Sequence, residues 1–126
     1  MKSASYYQRS GIQRVLYAFR WSYQGLSTAF RTETAFRQEL LIAIPLLAPI
    51  VYLDLSASER AILFGSISLV LIVEILNSAL EALADRISTD YDIQLGKVKD
   101  YGSAAVFLAI GTALISWVCI LLDHAG

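Results

Sequence analysis

The stretch EILNSALEALAD, residues 74–85, sets three carboxylates and an amide into an otherwise apolar run. At about 100° per residue of helix, Glu81 and Asp85 fall within about 20° of Glu74, Ser78 at about 40° and Asn77 at about 60°. All five share one stripe, while Ile72, Val73, Ile75, Leu76, Leu80 and Leu83 occupy the other faces. Glu74 and Glu81 are two turns apart, about 10 Å, and Asp85 is one turn further on. Glu74, deepest in the apolar run, suits a general base acting on a hydroxyl group. Glu81 suits a hard divalent cation, because magnesium takes one or two carboxylates and fills its shell with phosphate oxygens and water. TETAFRQE, residues 32–39, offers Glu33 and Glu39 as further acids, and Lys99, Asp100 and Arg14 add charge of both signs. A cation, two or three acids, a lysine and an arginine are the parts that phosphoryl transfer uses.

The familiar soluble signatures are missing. Gly96-Lys97 is followed by Val98 and lacks the glycine-rich loop of a nucleotide-binding P-loop, and neither G-x-G-x-x-G, H-E-x-x-H nor G-x-S-x-G occurs. His124 is the only histidine, which argues against a histidine base or a zinc site. Net charge is −1, so bulk electrostatics point to no nucleic-acid partner. The remaining classes are an unusual membrane enzyme or a transporter.

The elements that must position these residues are apolar helices. The 126 residues are enough for a single domain, and 56% of them are hydrophobic, above the roughly 45–50% of soluble domains. A bilayer core needs about 20 residues of helix, and three runs supply it, over about 35–53, 61–84 and 101–122. The first contains Pro45 and Pro49, which loosen a helix but are tolerated in a membrane bundle. The expected fold is an all-α membrane protein with three transmembrane helices. A carboxylate stripe on one of them cannot face lipid and must face a bundle interior or a wet cavity. Small residues in the third span, Gly102, Ser103, Ala104, Ala105, Ala109, Gly111, Ala113 and Ser116, permit close helix approach. Three spans are few for enclosing this much charge, so oligomerisation is expected.

Residues 11–31 predict an amphipathic helix, with Ile12, Val15, Leu16, Phe19, Tyr23, Leu26 and Phe30 on one face and Gly25 weakening its middle. It is too polar to span and reads as an interfacial helix, with Tyr17, Trp21 and Tyr23 at headgroup depth; packing as a cap on the bundle is the alternative. Nine of the ten basic residues, including Lys2, Arg9, Arg86, Lys97 and Lys99, flank one side of the spans, and Arg60 alone flanks the other. This bias puts the N-terminus and the 86–102 connection in the cytoplasm, and the 54–60 turn and C-terminus outside. The start of the chain is polar and predicts no cleavable signal peptide. Ser56 or Ser58 is expected to cap the second span, with Glu59 in its first turn. The inner connection is read as a polar loop with Gly96 and Gly102 as breakers, the third helix beginning at 98–103. The lone Cys119 excludes an internal disulfide and reads as a packed apolar residue.

EILNSALEALADRIS followed by KDYGSAA, with WSYQGL and ETAFRQE upstream, resembles the signature of the bacterial integral-membrane diacylglycerol kinase family. The resemblance runs from about Arg14 to Gly126 with the blocks in order. It implies a homotrimer of chains, each with a surface helix and three transmembrane helices, in the bacterial inner membrane with the C-terminus periplasmic. It implies Mg2+-dependent transfer of the ATP γ-phosphate to diacylglycerol, giving phosphatidic acid for phospholipid recycling, at a site shared between chains on the cytoplasmic face. Glu74 would be the base, Glu33 and Glu81 would hold magnesium, and Asn77 would orient Glu74 or a phosphate. Arg14, Asp85, Lys99 and Asp100 would surround the nucleotide, with Trp21, Asp90, Tyr91 and Asp92 as further contacts. Gln38, Glu39 and Ser103 would lie toward the lipid headgroup. The family also includes undecaprenol kinases. From the residues alone, rival readings are a hydrogen-bonding network between helices, a proton pathway or small transporter, and a structural assembly protein.

Overall fold

The computed structural model describes residues 10–126, and among these it contains four α-helices and no strand: α1 Gly11–Thr32, α2 Thr34–Tyr52, α3 Ala57–Ile87 and α4 Ile93–Ala125. Lys2 and Arg9, two of the basic residues behind the predicted orientation, lie outside the described residues. The chain divides at Thr34/Ala35 into two units.

The first unit is α1. Ser10 caps it by accepting the Gln13 N–H through its hydroxyl, and Thr32 bonds the Thr28 carbonyl to tighten the last turn. The helix runs unbroken through Gly25. Its apolar face, Ile12, Val15, Leu16, Phe19, Tyr23, Leu26 and Phe30, is exposed throughout, as an interfacial helix requires. Glu33 is the single non-helical residue between α1 and α2, with extended φ and ψ of −103° and 104°.

The second unit holds α2, α3 and α4, all long and apolar enough to cross a membrane. Pro45 and Pro49 lie inside α2, which remains one helix. Ser56 opens α3 with a capping box: its hydroxyl accepts the Glu59 N–H at 3.1 Å while Glu59 Oε2 accepts the Ser56 N–H at 2.8 Å. Asp92 opens α4, one carboxylate oxygen taking the N–H groups of Gln94 and Leu95 at 2.9 and 3.0 Å. This cap corrects the expected polar loop over 86–102. The connection is confined to residues 88–92, α4 begins at Ile93, and Gly96 and Gly102 sit within the helix rather than breaking it. A helix of 33 residues rises about 50 Å, against a hydrocarbon core of about 30 Å. At that length α4 exceeds the core and must tilt or extend beyond it.

The packed centre is Ala43, Ile50, Leu55, Leu63 and Ile67, with Leu46, Leu71, Trp117 and Ile120 against it. Cys119 is exposed on α4 rather than packed within the chain. Arg60, the lone basic residue at its end of the bundle, folds back onto the end of α2. It donates to the carbonyls of Ile50, Val51 and Leu53, the last at 2.9 Å. These are carbonyls that a helix terminus leaves without intrahelical partners. Arg60→Met keeps the aliphatic stem and removes the donors, so it is expected to cost about 2–3 kcal/mol, read as a lowered unfolding midpoint of the purified protein in detergent.

Candidate active site

α3 and α4 form the principal helix pair and lie antiparallel, tied by polar contacts at both ends and in the middle. At one end Glu59 Oε2 meets His124 Nε2 at 3.0 Å. In the middle the Trp117 Nε1–H donates to Ser66 Oγ at 3.2 Å, and the buried Ser66 hydroxyl donates to the Leu63 carbonyl at 2.8 Å. At the other end Lys99 Nζ donates to Asp85 Oδ1 at 2.7 Å. These contacts fix the register that decides what faces the carboxylate stripe.

The stripe itself grades from buried to exposed. Glu74 and Asn77 are 6% and 8% exposed, Ser78 and Glu81 are half-buried, and Asp85 is exposed. Burial of a carboxyl among apolar helices demands partners, and other polar groups lie along the stripe at two points. Glu39 of α2 lies within electrostatic reach of Glu74, so two acids from different helices share one locality. Asn77 faces down the stripe: its Nδ2 donates to Glu81 Oε1 at 3.2 Å. The amide thus orients Glu81. Its other atom, Oδ1, is buried without a hydrogen-bond partner and lies against Gly102 of α4.

Glu39 also stands at the edge of a cavity of about 390 Å³. Ile42, Leu46, Ile67, Leu71, Leu114 and Trp117 are among the side chains lining it, and Glu39 is the one charged residue there. One Glu39 carboxylate oxygen is buried with no hydrogen-bond partner in the chain. An apolar trough with a single acid at its edge, next to a buried second acid, suits a molecule with hydrocarbon tails and a hydroxyl-bearing head.

The second unit therefore brings together Glu39, Glu74, Asn77, Glu81 and Gly102, with the Asp85–Lys99 pair further along the same helices. Asp100 and Ser103 are exposed on α4 beside them, and Gln38 is exposed on α2. In the turn, Asp90 donates its N–H to Ser88 Oγ, Tyr91 is 93% exposed, and Asp92 is committed to capping α4. Arg14, Trp21 and Glu33 belong to the first unit, where Trp21 is half-buried with its ring 5.5 Å from that of Tyr17. Among the described residues no three His, Cys, Asp or Glu side chains gather into a protein-only metal cage. Glu81 retains a second carboxylate oxygen beyond the one held by Asn77, and one oriented carboxylate beside phosphate oxygens is a donor set magnesium accepts.

Residue roles that the sequence pattern left unmarked are the Ser66–Trp117 contact, the return of Arg60 to α2, and the close approach at Gly102. Only the last had a trace, the run of small residues in α4.

Residues 20–121 match the family described as prokaryotic diacylglycerol kinase. The chain is 44% identical over 117 residues to a protein of Escherichia coli K12 named diacylglycerol kinase, covering 93% of this chain and 96% of that one. It is 40% identical over 122 residues to the Pseudomonas aeruginosa protein of the same name, covering 97% and 99%. The Haemophilus influenzae protein so named is 38% identical over 115 residues, covering 91% and 98%. Neither the extent of these matches nor the helical bundle with its buried acids leaves room for another assignment: the chain belongs to the prokaryotic diacylglycerol kinase family.

Proposed function

We propose that this protein transfers the γ-phosphate of ATP to the free hydroxyl of diacylglycerol, giving phosphatidic acid that re-enters phospholipid synthesis. The observation that carries the reading is the buried Glu74, with Glu39 of α2 within electrostatic reach and lining an apolar trough. The acyl chains lie along the trough and the glycerol hydroxyl reaches Glu74. The hydroxyl oxygen attacks the γ-phosphorus in line, the bond to the β–γ bridging oxygen breaks, ADP leaves, and the hydroxyl proton passes to the Glu74 carboxylate. Each role is one that this stripe of side chains supports at its own depth: base in the apolar interior, cation ligand half-buried, nucleotide contacts in water.

Glu81 and Glu33 would hold magnesium, which would supply charge to offset that on the transferring phosphoryl group. Asn77 keeps one Glu81 oxygen turned along the stripe. Lys99, Asp100 and Asp85 stand at the nucleotide, with Arg14, Trp21, Asp90 and Tyr91 completing its surroundings and Gln38 and Ser103 toward the lipid head. The active form is a homotrimer with sites completed between chains. The exposed apolar faces of α4, including Phe107, Leu108, Leu114 and Ile115, support burial against other chains or lipid. The charge bias supports an inner-membrane protein with N-terminus and site cytoplasmic and C-terminus periplasmic.

The test is transfer of label from γ-labelled Mg-ATP in mixed micelles, with diacylglycerol and undecaprenol offered separately. Label in phosphatidic acid is expected. Label mainly in undecaprenyl phosphate would replace the substrate, and no label in either lipid, from folded protein, would sink the kinase reading. A second expectation separates chemistry from stability at Lys99. Its pair with Asp85 is 46% and 54% exposed, so solvent screens it and breaking it costs little stability. Lys99→Met is nevertheless expected to lower kcat/KM for ATP by about 100-fold, because a charge at a transferring phosphoryl group is worth several kcal/mol in the transition state. Steady-state kinetics beside a thermal melt would decide it.

A further inference from the structure

Gly102 is buried where α4 meets Asn77 of α3. A β-carbon built there would overlap Asn77 Oδ1 and stand 3.1 Å from Asn77 Cγ. The other glycines of α4 differ: a β-carbon on Gly96 or Gly111 meets nothing within 4 Å. Asn77 is 8% exposed, its Oδ1 presses on the α4 backbone, and its Nδ2 holds Glu81 Oε1 at 3.2 Å. Turning the amide away from α4 would withdraw Nδ2 from Glu81, because the two atoms ride on one rigid plane. A methyl group at 102 therefore acts on Glu81 through Asn77, from a different helix and without touching the carboxylate.

From this contact we infer that Gly102 is a positioning residue for phosphoryl transfer: its missing side chain makes the slot in which Asn77 lies, and so sets where the Glu81 carboxylate points. The inference rests on the reading of Glu81 as a cation ligand. A buried polar atom without a hydrogen bond is a cost that a folded chain rarely carries. Here Oδ1 bears it while the same amide orients a site residue. Groups that hold a metal ligand in place typically change affinity about 10- to 100-fold when lost.

The experiment compares wild type, Gly102→Ala, Asn77→Ala and the double variant Gly102→Ala/Asn77→Ala, all as full-length protein in mixed micelles. Two readouts are taken: the dissociation constant of Mn2+ in the presence of a non-hydrolysable ATP analogue, by electron paramagnetic resonance, and the Mg2+ dependence of lipid phosphorylation. Gly102→Ala is expected to weaken Mn2+ binding by about 10-fold or more and to raise the half-saturating Mg2+ in step, to the level of Asn77→Ala. In the Asn77→Ala background the added methyl is expected to change neither by as much as about twofold, since the atom it displaces is gone. Wild-type affinity in Gly102→Ala, or effects that multiply in the double variant, would overturn the inference. Should Gly102→Ala fail to fold, the double variant decides: folding with the Asn77→Ala phenotype supports the slot, and a further loss beyond that phenotype refutes it. A wild-type protein that binds Mn2+ and the analogue but phosphorylates no lipid would count against the proposed reaction and leave the slot standing.

Discussion

Glu74→Gln is expected to lower turnover by about a thousandfold while the protein stays folded and membrane-bound. General base catalysis contributes about 10²–10⁴-fold, and the amide cannot accept the hydroxyl proton. The substitution is close to isosteric. Glu74 is 6% exposed, and a neutral amide is no harder to bury than a carboxyl group, so stability should hold. Glu39 of α2 is the neighbouring acid, and the melting temperature of Glu74→Gln should stay close to that of wild type. KM for ATP and for lipid should change little, the loss falling on kcat, because proton acceptance belongs to the transition state. Turnover within tenfold of wild type, from protein with an intact melt, would remove Glu74 from the base role and point to Glu39, the other acid of that pair.

Glu81→Gln should be nearly as severe but differently shaped. The glutamine carbonyl can still accept from Asn77 Nδ2, now 3.2 Å from Glu81 Oε1, so the side chain keeps its orientation and loses only its charge. The expected result is a rise of more than about tenfold in half-saturating Mg2+ and a fall of about 10²–10³-fold in kcat/KM at low Mg2+, in line with the several kcal/mol a metal contributes to charge stabilisation. Raising Mg2+ should restore part of the rate. A titration of free Mg2+ at saturating ATP and lipid separates this from Glu74→Gln, whose deficit should be insensitive to the cation. A Mg2+ profile that superimposes on wild type would place the cation elsewhere. Charge and orientation are thus separable at this position, since Asn77→Ala removes the second and keeps the first.

The acid stripe and the apolar helices were legible from residue order because both are properties of a single helix. One angle, about 100° per residue, brings Glu74, Asn77, Glu81 and Asp85 to one side, and an apolar face elsewhere forces that side inward. The Ser56 capping box and the amphipathic face of α1 were legible for the same reason: every partner lies within a few residues. Residues 86–102 are polar, and polarity alone does not separate an exposed helix start from a loop. Asp92 capping starts the helix at Ile93 regardless, and Gly96 and Gly102 are carried inside it because neither is followed by a residue that needs a turn.

What residue order could not supply is the pairing of side chains more than a helix apart. Asn77 had Glu74 and Glu81 equally available along α3, one helical turn either way. The backbone of α4 at Gly102 sets where there is room for the amide, which holds Glu81. Arg60 reads as an exception to the charge bias until α2 ends within its reach. Trp117 and Ser66 carry no mark in the sequence pattern, and the antiparallel register sets them 3.2 Å apart. Periodicity fixes which face of a helix is polar, and it is silent on what that face meets, because the rotation and sliding of one helix against another depend on the shapes of both. The composition of the site is accordingly a property of the sequence, and the aim of its carboxylates is a property of the packed bundle.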